Sequence, residues 1–315
     1  MRRPWQRLVR FIAKNPSTGS SNQYYYGDAI LPDGVSDIGR ATHAHILSSV
    51  SHLFTNDYNI SERVEEIGTF LAPLNPRCVP NIRCLGLNYA RHAREAGMSL
   101  PARPIVFYKP RGALHGRPFD PIRIPLVAQE TPGLDYECEL VAVIGRMCKD
   151  VTEADALEYV AGYCVGNDIS HRELQLQRGG GQWAMGKGFD GWAPIGPGIV
   201  SSEIIGDPQN LNIMTKVNGE VMQESNTRDM VFSVAKTIEY LSQGTTLFPG
   251  DLIFTGTPEG VGMGRKPPLW LKDGDVVEVN LEGVGSCVNQ IKFERNDAPG
   301  PLEQERKKPN AEFEQ

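Results

Sequence analysis

The run 137–145 constrains the fold of this chain more than any other part of its sequence. After Glu139 the residues are Leu-Val-Ala-Val-Ile, which are apolar at odd and even positions alike. A strand with this pattern needs cover on both faces. Side chains two residues apart on a strand point the same way, so Glu137 and Glu139 share a face. Placing two carboxylates at the start of a buried strand costs several kcal/mol unless a cation offsets the charge.

This carboxylate pair has two interpretations. Hard divalent ions such as Mg²⁺ take oxygen ligands of this kind, and a third carboxylate is then expected close by. The best candidate is Asp168, because it comes directly after the strand-like region that contains Tyr163-Cys164-Val165. Alternatively, Glu137 and Glu139 lie on an edge strand and pair with Arg or Lys, since two acids separated by one residue are a weak sign of a metal site.

Short strands and turns are expected to dominate the fold. The chain contains 33 Gly and 23 Pro without a collagen-like period, a composition typical of many short strands joined by tight loops. Apolar runs predict strands near residues 82–87, 105–108, 247, 252–254, 276–281 and 288–293. Helices are predicted over 88–96, with Asn88 as N-cap and Gly97 after the last turn, over 152–161, and over 233–243. The sequence therefore predicts a strand-dominated α+β fold.

The chain is expected to divide into three parts. Residues 1–76 are predicted to form a small N-terminal α/β domain, and Pro73, Pro76 and Pro80 mark its exit. Residues 77–293 are predicted to form a second, larger domain, which the motifs described below predict to be catalytic. Residues 294–315 are polar and proline-containing, so we predict a flexible tail that cannot bury enough apolar area to fold.

The N-terminal residues admit two interpretations of their own. Residues 8–13, a polar turn and residues 24–28 favour an opening β-hairpin. The first 27 residues are also rich in Arg and free of acids, which is typical of a mitochondrial presequence.

Charge and composition exclude several classes of function. The chain has 32 Lys and Arg against 38 Asp and Glu, a net charge of −6, which argues against a nucleic-acid surface. No stretch approaches 18 uninterrupted apolar residues, so no transmembrane helix and no membrane partner are expected. Six cysteines without a Cys-x-x-Cys pair favour reduced thiols inside a cell. We therefore predict a cytoplasmic protein, with mitochondria as the alternative that the N-terminus leaves open.

A series of motifs resembles the fumarylacetoacetate hydrolase superfamily over roughly residues 80–292. In chain order the motifs are Leu87-Asn88-Tyr89 with His92 and Glu95, Phe107-Tyr108-Lys109-Pro110, Tyr136-Glu137-Cys138-Glu139-Leu140, Asn167-Asp168-Ile169-Ser170 with Arg172 and Gln175, Gly186-Lys187-Gly188-Phe189-Asp190, Val217-Asn218-Gly219 and Thr255-Gly256-Thr257-Pro258. The resemblance implies a mixed β-roll catalytic domain, a small N-terminal α/β domain and a homodimer. The run Arg265-Lys266-Pro267-Pro268 is most similar to one branch of this superfamily. That branch contains fumarylacetoacetate hydrolase domain-containing protein 2 and oxaloacetate tautomerases.

The resemblance also implies a role for individual residues. Glu137, Glu139 and Asp168 match the carboxylates that hold Mg²⁺ or Mn²⁺. The other matches are a catalytic dyad on a lid helix, His92 and Glu95; a lysine beside the metal, Lys187; and the substrate contacts Lys109, Arg172, Gln175 and Thr257. The i, i+3 spacing of the dyad supports a shared helical face independently. The glycine-rich residues 256–264 are not a phosphate loop, because they carry no Gly-Lys-Ser/Thr ending.

The implied chemistry is stabilisation of the enolate of a 2-oxo acid or β-diketo substrate by a divalent metal. We predict oxaloacetate keto–enol tautomerisation. The alternatives are C–C hydrolysis of an acylpyruvate or related β-diketo acid, as in fumarylacetoacetase, and decarboxylation or isomerisation of a related biosynthetic intermediate. An inactive scaffold that has kept the fold is the alternative from another class, which the presence of every motif residue disfavours.

Overall fold

The computed structural model of the chain describes residues 5–16, 23–48, 53–54 and 58–295. The strands within these residues are β1 Arg7–Ala13, β2 Tyr24–Ile30, β3 His43–Ser48, β4 Asn59–Leu71, β5 Ile82–Gly86, β6 Ile105–Lys109, β7 Ile122–Ile124, β8 Leu134–Asp135, β9 Cys138–Ile144, β10 Val160–Asn167, β11 Ser170–His171, β12 Ile195–Ser201, β13 Asn212–Val217, β14 Glu220–Asn226, β15 Leu252–Phe254, β16 Val276–Leu281 and β17 Gly285–Phe293. The α-helices are α1 Ala90–Glu95, α2 Arg172–Leu176, α3 Ser202–Ile205 and α4 Val234–Ser242. The prediction of a strand-dominated fold is confirmed.

Ten strands form one sheet in the order β2-β3-β4-β1-β12-β10-β9-β15-β5-β6. A second sheet has the order β14-β13-β16-β17-β7, and β8 pairs with β11. Strand β15 runs parallel to β5 and β17 parallel to β7, whereas pairs such as β9–β10 are antiparallel. The sheets are therefore mixed, as predicted.

The four N-terminal strands form a closed ring of pairings. Strand β1 pairs with both β2 and β4, and β3 pairs with the same two strands. The opening hairpin is confirmed, and Leu8, Val9 and Phe11 of its first strand are fully buried. In the described residues before α1, helical structure is limited to 3₁₀ turns such as Ile38–Arg40. Strand β1 also pairs with β12, so this part shares a sheet with the catalytic part. The domain boundaries stay predictions, and residues 296–315 of the predicted tail lie outside the described residues.

Strand β9 explains the apolar run that dominates the sequence. It lies between β10 and β15, and all seven of its residues are buried. An edge position for Glu139 is therefore wrong, because this residue lies within β9, which has a hydrogen-bonded strand on each side.

Two of the three predicted helices need correction. The helix over 152–161 is wrong: a 3₁₀ turn covers Ala156–Tyr159, and Val160 already begins β10, which pairs with β9. Helix α1 begins at Ala90, and Asn88 is not its N-cap, because the Asn88 amide binds the Phe232 and Thr255 carbonyls instead. The helix over 233–243 is confirmed as α4, and the Ser233 hydroxyl caps it.

Two further predictions concern the whole chain. All six cysteines are unpaired, as expected. Among the described residues, no helix combines the length and the apolar character that crossing a bilayer requires.

Candidate metal centre and active site

The three predicted carboxylates converge where β9 and β10 meet. Asn167, the last residue of β10, pairs with Cys138, the residue between Glu137 and Glu139. Asp168 follows Asn167 directly, so it lies close to both glutamates. The Asp168 amide donates to the Glu137 carbonyl at 2.9 Å, which fixes this junction. One carboxylate oxygen from each of the three acids lies within 4.8 Å of the others, and all three residues are buried. Such a set of oxygens fits a hard divalent cation.

Basic side chains contact two of the three carboxylates. The Lys187 ammonium donates to Glu137 Oε2 and to Asp168 Oδ2, both at 2.8 Å. The Arg172 guanidinium lies 2.6 Å from Glu137 Oε1. Burial acts to raise the pKa of Glu137, but Lys187 and Arg172 outweigh it and hold that pKa well below its ordinary value. The predicted alternative of pairing with Arg or Lys is therefore realised for Glu137, although this residue lies just before β9 and not on an edge strand.

Glu139 differs from its two neighbours. Its Oε2 accepts a hydrogen bond from the Gly256 amide at 2.7 Å, whereas its Oε1 has no hydrogen-bond partner among the described residues. Burial, with the negative charges of Asp168 and Glu137, raises the pKa of Glu139 well above its ordinary value. A buried, unpartnered carboxylate oxygen is costly, and a divalent cation would remove that cost. The residues therefore fit a metal ion.

The predicted dyad lies on the short helix α1. His92 Nδ1 is 3.2 Å from Glu95 Oε2, which confirms the shared helical face. His92 is buried, and the Glu95 side chain is 21% exposed. An acidic partner at this distance fixes the orientation of the imidazole ring.

Six of the predicted site residues line one cavity of about 100 Å³. They are His92, Glu137, Arg172, Gln175, Lys187 and Thr257. Its apolar wall includes Leu87, Met98, Phe107, Leu176 and Trp183. A larger groove of about 1170 Å³ lies between residues 128–134 and 265–272, but none of the predicted site residues lines it. The small cavity beside the carboxylates is therefore the candidate active site.

The predicted substrate contacts are not equally available to a ligand. Arg172 Nη1 donates to Gln175 Oε1 at 3.1 Å, and Arg172 Nη2 has no partner among the described residues. The Thr257 hydroxyl donates to the Cys138 carbonyl at 3.0 Å. Lys109 differs from these residues, because its ammonium is enclosed by three backbone carbonyls and lies 2.7 Å from Asp168 Oδ1. The structure thus places Lys109 against a metal-ligand candidate and outside the cavity.

Asp135 is a buried acid beside the site that the sequence did not lead us to predict. Asp135 accepts from Arg172 Nε at 2.8 Å and from the amides of Gly262 and Met263 at 2.7 and 3.1 Å. Its signal was present, since Asp135 precedes Glu137 by the same two-residue step that separates Glu137 from Glu139.

Comparison with known proteins decides the family. Residues 81–292 match the family described as "Fumarylacetoacetate (FAA) hydrolase C-terminal". The chain belongs to this family. The match extends from β5 to β17 and includes the carboxylate cluster, the dyad and the cavity.

Relatives of the chain carry several names within the family. A "Fumarylacetoacetate hydrolase domain-containing protein 2 homolog" of Dictyostelium discoideum is 49% identical over 230 residues, 70% of this chain and 73% of that protein. "Oxaloacetate tautomerase FAHD2A, mitochondrial" of Bos taurus is 46% identical over 223 residues, 71% and 69% of the two chains. The crystal structure of "2-hydroxyhepta-2,4-diene-1,7-dioate isomerase" from Mycobacterium marinum is 33% identical with a TM-score of 0.73, covering 92% of this chain and 99% of that one. Of these three proteins, one is thus named as a tautomerase and one as an isomerase.

Proposed function

We propose that the protein is a divalent-metal-dependent enzyme that stabilises the enolate of a 2-oxo acid, and that its reaction is oxaloacetate keto–enol tautomerisation. The observation that carries the proposal is Glu139, whose buried Oε1 lacks a partner among the described residues while Glu137 and Asp168 offer further oxygens within 4.8 Å. A surplus of buried negative charge is what a metal-free form of such a site would contain.

Mg²⁺ or Mn²⁺ is the proposed cofactor, held by Glu137, Glu139 and Asp168. When bound, the ion supplies Lewis-acid polarisation of the keto oxygen of the substrate. Oxygen-only donors favour these ions over softer metals that prefer sulfur or imidazole. Lys109 keeps Asp168 in place through its 2.7 Å ion pair, so we assign it to supporting the site and no longer to contacting substrate.

The chain itself supplies the proton transfer and the charge complement. Lys187 is fully enclosed, and its neighbours Asp168 and Glu137 outweigh burial and raise its pKa, so the ammonium stays charged. A fixed cation there stabilises an enolate oxygen. His92, oriented by Glu95, removes a proton from the substrate carbon and returns one to carbon or oxygen. The Arg172 Nη2 group is the proposed contact for a substrate carboxylate, and the Thr257 hydroxyl is a second one once its proton turns from the Cys138 carbonyl to the substrate.

The cavity volume and a relative's name favour oxaloacetate. A space of about 100 Å³ is smaller than the roughly 300–1,000 Å³ of pockets that hold drug-sized ligands, which favours a small acid over a long acyl chain. A 46% identical relative is named as an oxaloacetate tautomerase, and that name motivates the choice of this substrate.

A second candidate is C–C hydrolysis of an acylpyruvate or related β-diketo acid. The apolar wall formed by Leu87, Met98 and Trp183 favours it, because an alkyl tail gains from such contacts while a second carboxylate does not. Decarboxylation or isomerisation of a biosynthetic intermediate starts from the same enolate and stays an alternative product, as the inactive scaffold stays the non-enzymatic alternative.

The remaining proposals concern assembly and location. We keep the homodimer as the expected oligomer, since two-fold dimers are the commonest closed assembly. We keep a cytoplasmic location, with mitochondria as the alternative suggested by the bovine relative's name. Neither a nucleic acid nor a membrane is proposed as a partner.

The test is a panel of substrates with and without metal. The protein is incubated with oxaloacetate and Mg²⁺ or Mn²⁺, and enol absorbance is followed; acylpyruvates and other 2-oxo acids are assayed in parallel, with EDTA as control. Metal-dependent loss of the oxaloacetate enol supports the main proposal. Cleavage of acylpyruvates alone supports the second candidate. No reaction with any member of the panel contradicts both.

A further inference from the structure

The glycine-rich residues 256–264, which do not form a phosphate loop, hold carboxylates instead. Three backbone amides of this segment each donate to a different acidic side chain. The pairs are Gly256 to Glu139 at 2.7 Å, Gly260 to Glu95 at 3.0 Å, and Gly262 to Asp135 at 2.7 Å. One of these acids is a metal-ligand candidate, one belongs to the dyad, and one binds Arg172. The segment therefore contacts the metal-ligand cluster, the dyad and the partner of Arg172.

Two of these glycines are required by the backbone. Gly256 and Gly260 have φ values of +92° and +95°, in the left-handed region that favours glycine. A Cβ at Gly260 would also lie 2.2 Å from the Met222 carbonyl oxygen, and one at Gly262 would lie 2.0 Å from the Leu269 carbonyl oxygen. Side chains at these positions would displace the main chain.

Gly264 is different, because its neighbours are the carboxylate atoms of Glu95. A Cβ at Gly264 would lie 2.4 Å from Glu95 Cδ and 2.7 Å from each carboxylate oxygen. The φ of Gly264 is not in the left-handed region, so alanine fits the local backbone. The carboxylate is the end of a flexible side chain, so a methyl group here would move Glu95 rather than the main chain.

The segment is also anchored to the carboxylate cluster. Asp135 has no exposed surface and binds the amides of both Gly262 and Met263. Asp135 also binds Arg172, which lies 2.6 Å from Glu137. The segment on which Glu95 rests is thus joined through Asp135 and Arg172 to the place where the metal would bind.

We propose that residues 256–264 are a positioning element for the dyad, and that Gly264 is the position whose lack of a side chain lets Glu95 rest on the Gly260 amide and orient His92. The proposal rests on the function proposed above for His92 and Glu95. Gly264 acts through Glu95 and does not contact the substrate.

The test is Gly264→Ala in the full chain, assayed with oxaloacetate and Mg²⁺. We expect kcat to fall roughly 10- to 10²-fold, the size of effect that a misplaced catalytic group produces, with KM and Mn²⁺ affinity unchanged. Gly116→Ala is the matched control, because no atom lies within 4 Å of a Cβ at that open position, and it is expected to behave as wild type.

A double-mutant cycle isolates the contact. Adding Gly264→Ala to Glu95→Ala is expected to cause no further loss, because the carboxylate that the methyl group meets is gone. Losses that multiply in the double variant would overturn the proposal. If Gly264→Ala unfolds, the double variant is expected to be more stable than the single one, and a double variant of equal or lower stability overturns the clash.

A spectroscopic readout separates this inference from the proposed function. Nitrogen NMR of the histidine rings is expected to show the His92 Nδ1 signal of Gly264→Ala shifted towards that of Glu95→Ala. Wild-type His92 signals in Gly264→Ala contradict the positioning role whether or not the enzyme is active. Inactivity of the wild-type chain on the whole panel, with the expected NMR shift, contradicts the proposed reaction alone.

Discussion

The carboxylate cluster and the dyad helix are two halves of one site, and they are held in different ways. Glu139 lies in β9, a buried strand with a partner on each side, and Asp168 comes directly after β10. His92 and Glu95 lie on a helix of six residues. Arg91 of that helix pairs at the surface with Glu259 at 2.9 Å and Asp229 at 3.5 Å.

This difference indicates that the sheet and the helix have separate roles, metal binding and proton transfer. The sheet fixes the metal ligands, since moving them would break the pairing of buried strands. The helix buries His92 and Ala93, and its remaining contacts are Glu95 resting on the Gly260 amide and exposed ion pairs, which contribute little individually. We therefore expect changes in the cluster to remove metal binding, and changes on the helix to affect proton transfer alone.

The largest expected effect belongs to Glu139→Gln. The substitution removes the unpartnered carboxylate, so metal-dependent turnover should fall by about 10³-fold or more, equivalent to several kcal/mol of Lewis-acid stabilisation. The measurement is kcat/KM with oxaloacetate across Mg²⁺ concentrations. Glu158→Gln, at an exposed carboxylate, is the control. Wild-type activity in Glu139→Gln would remove the cluster from the mechanism.

His92→Ala tests the role of the dyad helix. Loss of the proton-transfer group should lower kcat by about 10²–10⁴-fold while Mn²⁺ affinity stays at the wild-type value. His43→Ala, at an exposed position in β3, serves as control. Full activity of His92→Ala in every candidate reaction would show that the dyad assignment is wrong.

The metal-free protein should show the charge surplus in its pH dependence. The pKa of Glu139 is higher in the folded chain than its ordinary value of 4.5. Its contribution to stability is therefore present below about pH 4.5 and lost as the pH rises towards the folded pKa. In EDTA at pH 8, Glu139→Gln should be more stable than wild type by about 1–3 kcal/mol.

Urea unfolding at pH 5 and pH 8 checks this sign. The advantage of Glu139→Gln should be smaller at pH 5, and Mg²⁺ should stabilise the wild type but not the variant. An equal advantage at both pH values would mean that the Glu139 carboxylate is not the source.

The smallest expected effect belongs to the surface contacts of the helix. Arg91→Ala removes two exposed ion pairs, so we expect at most about a 5-fold change in kcat/KM, decreasing with added salt. Arg94→Ala is matched to it, because Arg94 lies exposed on the same helix and takes no part in the ion pairs that Arg91 makes with described residues. A loss of 10²-fold in Arg91→Ala would show that these pairs hold the dyad in its catalytic position.

Features set by local strand geometry could be predicted from the sequence, whereas features set by tertiary contacts could not. The apolar run and the two-residue spacing of its acids were sufficient to place β9 and the carboxylates, because strand geometry is local and regular. The helix predicted over 152–161 failed, because Thr152 and its neighbours favour a helix start while pairing with β9 requires a strand from Val160. Tertiary contacts overrode local preference there.

The roles of residues that depend on contacts with distant parts of the chain could not be predicted from the sequence. Lys109 resembled a substrate contact, but it is enclosed by carbonyls from residues 60 to 83 positions away. The role of Gly264 depends on Glu95, a residue of another segment. Spacing along the chain does not carry such information.

We propose that Glu137, Glu139 and Asp168 together hold one divalent ion. The most direct test of this proposal is titration of the metal-free protein with Mn²⁺, monitored by electron paramagnetic resonance, for the wild type and for Glu137→Gln, Glu139→Gln and Asp168→Asn. We predict one tightly bound ion per chain in the wild type and a loss of affinity in each variant. Absence of binding to the folded wild type, or undiminished binding by all three variants, would show that these carboxylates do not form a metal site.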